Sequence, residues 1–256
     1  MARIPIGLQL YTVRDLLAED VPGTIKAVAR IGYEGVEVGG LYGLKAKEWK
    51  RLLADHNLKL VGGGVGLRDL QNDLARQVDT CRELGVSTLM IGAVQKELRE
   101  ANGDWKRIVA ELAEACAKAK EAGLRILYHN HAYEFQTKVN GMYALDYVYA
   151  SISAETLKGE LDTYWIKTGG EDPVAYIRKY AGRVPFLHIK DRAPAPADQT
   201  CPFAEIGQGF LDWDAIFAAA QESGVEWHIV EQDRMIRPSL ESARMSFDYM
   251  KAHGMV

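Results

Sequence analysis

Cysteine is scarce in this chain. Cys81, Cys116 and Cys201 are its three cysteines, far apart and without a CxxC pair. Such an odd, scattered set cannot frame a disulfide-stapled fold and reads as reduced thiols. An excess of positive charge is also missing, since 31 Lys and Arg stand against 35 Asp and Glu, a net charge of −4. Nucleic-acid binders usually carry a basic face, so the balance argues against a nucleic-acid partner. No apolar run approaches the roughly 18 residues that a bilayer span requires. The opening "MARIPIGLQLYTVRD" lacks the apolar core and small-residue cleavage site of a signal peptide. No linker, low-complexity tract or charge block divides the chain. These absences leave the expectation of a cytoplasmic protein with no membrane partner, forming one domain over residues 1–256. Its 48% hydrophobic content is enough for a sizeable core.

What is present is a recurring phrase: a helical pattern, then glycine, then a short apolar run. It appears as "AVARIGYEGVEVG", "TCRELGVSTLMIG", "AKEAGLRILYH" and "AQESGVEWHIVEQD". In "RLLADHNLKLVGG" Asn57 takes the place of the glycine as a left-handed cap. Strands are expected near 5–11, 33–39, 58–65, 87–93, 124–131, 157–165, 184–191 and 227–233. Amphipathic segments lie between them, such as "DWKRIVAELAEACAKAKEAG", with Ile108, Leu112, Ala115 and Ala119 on one face. Eight strands alternating with eight helices in about 250 residues is the arithmetic of a (β/α)8 TIM barrel. An open doubly wound sheet would usually carry G-x-G-x-x-G after its first strand, and "GLQLYTVRD" has none. The glycines of "VGGGVG" (61–66) read as room near a ligand or a tight turn. The proline-bearing stretch 192–209 reads as a lid or rim.

In such a barrel, chemistry sits at the C-terminal ends of the strands. Polar residues gather there on four consecutive strands, as His129 and His131, Glu160 and Asp162, His188 and Lys190, and Glu231 and Asp233. Each pair is spaced i, i+2, so both side chains leave one side of the strand. One donor from each strand, His129, Asp162, His188 and Glu231, can converge on a single cation. Two imidazoles and two carboxylates suit manganese, cobalt, zinc or iron better than magnesium or calcium. Taken alone, each residue has a structural reading, and Asp162 before "TYW" can cap a helix. His56 and His253 read as helix-end residues, and His228, of opposite parity to Glu231, as packed under a helix.

The order "GLQLYTVRD", "GYEGVEV", "YHNHAYEF", "ELDTYW", "HIKD", "EIGQGFLDW", "VEQD" resembles the xylose isomerase-like TIM-barrel superfamily of sugar isomerases, epimerases and related lyases. The resemblance spans nearly the whole chain. It implies one divalent metal (Mn, Co or Zn), held by Glu, Asp, His and Glu from strands five to eight; the last three match Asp162, His188 and Glu231. Where many relatives have Glu-Asn-His, this chain has His129-Asn130-His131. His129 is therefore read in the glutamate's slot, because Tyr128 has the wrong strand parity. His131 is read as touching substrate.

The resemblance implies proton abstraction beside the carbonyl of a keto sugar or related polyol, by an isomerase or epimerase. A metal-bound glutamate, here Glu231, serves as base. Replacing the other glutamate removes one of two bases, which favours the alternative of β-elimination by a dehydratase or lyase on an inosose or 3-keto-glycoside. Lys190 reads as base or oxyanion partner and Glu134 as a second base or hydroxyl ligand. Glu37, Tyr11 and Gln9 read as pocket lining, and Trp165 and Trp213 as stacking surfaces or core. "EIGQGFLDW" reads as backbone geometry before the seventh helix.

Endonuclease IV shares the fold, but its three-zinc cluster needs more histidines than the six here. A sugar-binding barrel without chemistry is the third reading. The expected partner is a small unphosphorylated sugar, with homo-oligomerisation left open.

Overall fold

The computed structural model describes residues 3–94, 99, 103–194 and 203–255. Eight parallel strands close a barrel: β1 (Ile6–Gln9), β2 (Gly35–Val38), β3 (Lys59–Val65), β4 (Thr88–Ile91), β5 (Arg125–His129), β6 (Lys158–Asp162), β7 (Phe186–Ile189) and β8 (Trp227–Val230). Each strand pairs with its neighbours in sequence, and β8 pairs with β1. The expected (β/α)8 barrel is therefore the fold.

The outer ring is α1 (Val21–Ile31), α2 (Ala46–Asp55), α3 (Leu74–Leu84), α4 (Trp105–Glu121), α5 (Ala144–Ser151), α6 (Pro173–Lys179), α7 (Trp213–Ser223) and α8 (Ser239–Ala252). Aspartates begin several of these helices: Asp20, Asp73, Asp104 and Asp212 each accept a backbone N–H from the first turn. Gly85 and Gly224 end α3 and α7 in the left-handed conformation, and Asn57 takes a φ of 56° just after α2. The stripe Ile108, Leu112, Ala115 and Ala119 of α4 is buried, as its spacing requires. Among the described residues no helix is long and apolar enough to cross a membrane.

Strand alternation sorts the apolar residues into two cores. Val61, Met90, Leu127, Phe186 and Ile229 fill the barrel interior, with Trp227 packed against them. Their outward neighbours, including Leu60, Leu89, Tyr128, Leu187 and Val230, join the larger core under the helices. His228 follows the outward row, with its ring 5.3 Å from that of Phe217 on α7. His56 and His253 stand at the C-terminal ends of α2 and α8.

Several strands are shorter than expected: the first, read to residue 11, ends at Gln9, and the eighth, read to 233, ends at Val230. The sixth strand ends at Asp162 instead of 165, because the Asp162 carboxylate accepts the Trp165 N–H at 2.9 Å and starts a short helix, Thr163–Thr168. The loop after β5 contains a hairpin, Lys138–Val139 with Met142–Tyr143, turned by Asn140 and Gly141 at positive φ. Of the stretch read as a lid, residues 195–202 lie outside the described residues. What flanks them is a short antiparallel pair, Asp191–Arg192 with Phe203–Ala204.

Candidate metal centre

His129 ends β5 and Asp162 ends β6, where Asp162 pairs in register with His188 of β7. Glu231 follows β8 directly. Their ligand atoms, one from each of the four, lie within 4.8 Å of one another, and all four residues are buried. Two donors bonded at about 2.0–2.2 Å to a single ion stand at most about 4.4 Å apart, so the widest pair would draw in slightly around an ion. Asp162 Oδ1 is engaged by the Trp165 N–H, while its buried Oδ2 faces the cluster, 3.0 Å from the Lys190 ammonium and 3.8 Å from His129 Nε2. Two imidazoles and two buried carboxylates gathered on one inward face are a donor set that fits a divalent cation.

A second tier of carboxylates stands beneath these residues. His188 offers Nδ1 toward Glu231 Oε2 at 2.9 Å, while Nε2 meets Glu37 Oε2 at 2.9 Å and Glu160 Oε2 at 3.3 Å. His129 meets Glu160 Oε2 through Nδ1 at 3.1 Å and turns Nε2 toward Asp162 Oδ2, 3.8 Å away. Each histidine thus has one nitrogen toward the cluster and the other against a buried carboxylate. That arrangement fixes the tautomer and raises ligand basicity. Gln9 completes the tier by donating to Glu37 Oε2 at 2.7 Å.

Gln9 and Glu37, expected as pocket lining, are both buried: Glu37 meets His188 and Gln9 holds Glu37. Glu160 was assigned no role, although its i, i+2 relation to Asp162 puts it on the same inward row.

Charge decides the protonation of this cluster. Burial pushes Glu160 up to about 8, with Glu37 adding to the shift, and pushes Asp162 up to about 6. Burial holds His129 well below the ordinary imidazole value, helped by His188. Burial acts the same way on His188, but Glu160 and Glu231 outweigh it and raise its proton affinity well above the ordinary imidazole value, so a cation bound there would have to displace its proton. Glu231 shows the converse: burial raises it, and Lys190 with His188 hold it well below the usual carboxylate range.

Lys190 is fully buried, with its ammonium 2.7 Å from Glu231, 2.8 Å from Asp233 and 3.0 Å from Asp162. Burial lowers its proton affinity, but three carboxylates outweigh that and raise it well above the ordinary value. The group is a cation and a donor; the base role considered for Lys190 requires the opposite shift.

Above the cluster, His131, Tyr133 and Trp165 form an aromatic wall. The His131 ring is 5.4 Å from Tyr133 and 5.3 Å from Trp165, and the Lys190 ammonium is 5.7 Å from the Trp165 ring. His131 Nδ1 and Trp165 Nε1 are buried without a hydrogen-bond partner. Burial, with Lys190 nearby, holds His131 neutral, its pKa down at about 3. Tyr11 lies on the rim, 44% exposed and covered by Arg14 at 4.0 Å.

Two candidates stand apart from this centre. Glu134 Oε1 accepts from the Tyr128 hydroxyl at 2.9 Å, and Oε2 accepts the His131 N–H at 2.8 Å. Because Tyr128 belongs to the outer core, this carboxyl braces the loop from behind β5, a position that does not suit a second base. Trp213 is core as well, donating Nε1 to Asp191 at 2.8 Å. Asp191 also accepts the N–H groups of Gly207 and Gly209 at 2.9 and 3.0 Å, and a side chain at Gly209 would collide with it. The reading of that glycine segment as backbone geometry agrees with this anchoring.

Residues 25–253 match the model of the xylose isomerase-like TIM barrel family, and the chain belongs to that family. It is 25% identical over 239 residues to an inosose dehydratase of Lacticaseibacillus casei, covering 79% of this chain and 78% of that one. A solved sugar phosphate isomerase/epimerase from Parabacteroides distasonis is 26% identical, with a TM-score of 0.81 and coverage of 100% and 96%. The fold is shared too with the IOLI protein, solved with a bound zinc atom, at a TM-score of 0.76, 18% identity and coverage of 97% of each chain.

Proposed function

We propose that this protein is a divalent-metal-dependent enzyme that removes a proton beside the carbonyl of a keto sugar or keto cyclitol and expels a leaving group from the next carbon. The observation that carries the reading is the convergence of His129, Asp162, His188 and Glu231 within 4.8 Å, with Lys190 as the one ammonium among them. The inosose dehydratase relatives support the same class of chemistry, and a protein of the same fold has been solved with a zinc atom.

When bound, a divalent cation supplies Lewis-acid stabilisation of charge developing beside a carbonyl. The chain's own groups divide the remaining work. Glu231 is held ionised by Lys190 and His188 and can accept the proton. As the carbon–hydrogen bond breaks, its electron pair forms a carbon–carbon double bond and the adjacent carbon–oxygen bond breaks. Lys190, held charged, donates a proton to the departing oxygen. His131, neutral and with Nδ1 unpartnered, orients a substrate hydroxyl against Trp165.

Elimination needs one base, which suits a site where a histidine, His129, stands in the slot read as the family's first glutamate. The second reading is isomerisation or epimerisation, favoured by the likeness to the Parabacteroides structure.

Proton NMR in D2O separates the two readings, using zinc-, cobalt- or manganese-loaded protein with inosose, ketohexoses and 3-keto-glucosides. Elimination predicts a new vinylic signal with release of water or an alcohol. Deuterium beside the carbonyl with a new diastereomer or aldose would replace it with the second reading. No exchange in any substrate would leave a sugar-binding barrel.

A further inference from the structure

Across the barrel from the charged cluster, the inward rows of β2, β3 and β4 end in glycine: Gly39, Gly64 and Gly92. Gly39 follows Glu37 by two residues and Gly64 follows Gly62 by two, and Glu37 pairs with Gly62. Glu37 is the carboxylate that meets His188 Nε2. These glycines therefore stand one pleat above the tier that braces the four donors.

Ordinary causes of glycine do not apply to Gly39 and Gly64. Neither has positive φ. A Cβ at Gly39 would meet nothing within 4 Å, and one at Gly64 would meet nothing closer than 3.6 Å. Gly35 and Gly62 differ, since a Cβ there would press on a neighbour at 2.9 Å. Glycine inside a strand costs stability and, without a packing reason, often marks close approach of a ligand.

The space these glycines leave is a cleft of about 480 Å³, lined also by Met90, Asp69, Arg76 and Gln77. That volume falls within the roughly 300–1,000 Å³ of small-molecule sites. Arg76 is the one cation of the lining and is already paired with Asp73 at 2.6 Å, while Asp69 adds a negative charge. Among the described residues a phosphate finds no unpaired cation there; a hydroxylated neutral group finds an acid, an amide and a guanidinium edge.

We propose that this cleft is a binding subsite for a second, uncharged polyhydroxylated unit, such as a sugar ring, attached to the ring that reacts at the charged cluster. The assignment rests on the reading above for the reacting ring, and adds to it that the attached unit is polyhydroxylated, uncharged and held on the β2–β4 side of the mouth.

The test is binding of ligands that cannot react, so that it stands apart from turnover. Saturation-transfer NMR on the zinc-loaded protein would compare methyl glucoside with methyl cellobioside and methyl maltoside, none of which carries a free carbonyl. The two-ring ligands should bind at least tenfold more tightly than methyl glucoside. Gly64→Leu, whose side chain would fill the cleft, should weaken the better two-ring ligand at least tenfold more than methyl glucoside. Asp69→Asn with Gln77→Ala, both on helices outside the barrel strands, should act in the same direction. Equal affinities in the unmodified protein, no binding of any ligand, or equal losses for one and two rings in the variants would overturn the subsite. The reading of the chemistry is judged separately, by the D2O experiment on keto substrates.

Discussion

The two halves of the barrel mouth are built on opposite plans. On β5 to β8 the inward strand ends carry imidazole, carboxylate and ammonium groups so crowded that their protonation states depend on one another. On β2 to β4 the corresponding positions carry no side chain at all. The first plan accepts the desolvation of several charges in exchange for a fixed electrostatic field. The second gives up strand-forming side chains and keeps space. One fold supports both because its closed ladder of backbone hydrogen bonds does not depend on either set of side chains.

Substitutions can break the charged side most severely. Asp162→Ala should reduce bound zinc or manganese from about one ion per chain to background by metal analysis, and should abolish turnover. It also removes a helix cap, at a cost of about 0.5–2 kcal/mol. Asp162→Asn keeps an acceptor for the Trp165 N–H and should lose the metal with a smaller fall in stability, separating the two roles. A D162N protein that kept its ion would remove Asp162 from the metal centre.

Glu37→Gln should have the next largest effect. It leaves the four donors in place and alters only the group behind His188, so metal affinity should weaken about 10- to 100-fold in a competitive chelator titration. An unchanged affinity would mean that the lower tier is packing alone.

Acidity offers a third measurement. Glu160 has a folded-state value of about 8 against 4.5 for the ordinary group. The folded state therefore holds this proton where the unfolded state has released it. Its contribution to stability is complete below about pH 4.5 and is lost as pH rises toward 8. Metal-free protein should accordingly melt at a lower temperature at pH 8 than at pH 6, and Glu160→Gln should flatten that slope. A slope unaffected by E160Q would place the titration elsewhere.

The smallest effect is expected on the bare side. Gly39→Ala adds a methyl group where nothing lies within 4 Å and φ is ordinary. It should stabilise the protein by about 0.4–1 kcal/mol in denaturant unfolding. A loss of stability would show that this glycine serves the backbone and weaken the contrast between the halves.

The charged side was far more legible in sequence than the bare one. Strand parity put His129, Asp162, His188 and Glu231 on one row together with their i, i+2 partners. Parity also separated Tyr128 and His228, which face the outer core. It could not rank depth along the row. Gln9 and Glu37 were read at the pocket wall without the bonds from Gln9 to Glu37 and from Glu37 to His188, and Glu160 was passed over beside Asp162. Depth depends on the stagger between strands, set by pairings such as Glu37 with Gly62 that a single chain does not display. Lys190 was weighed as a base on burial alone; the three carboxylates around it come from β6 and the segment after β8. The glycines of 61–66 suggested room, but only the positions of their neighbours distinguish a packed Gly62 from an open Gly64.

Asp162 joins two jobs in one side chain, with Oδ1 clamped by the first turn of the helix it starts and Oδ2 turned to the cluster. A carboxylate clamped in this way has its torsion set by the helix it begins, so the aim of Oδ2 is fixed by folding and not by whatever binds beside it.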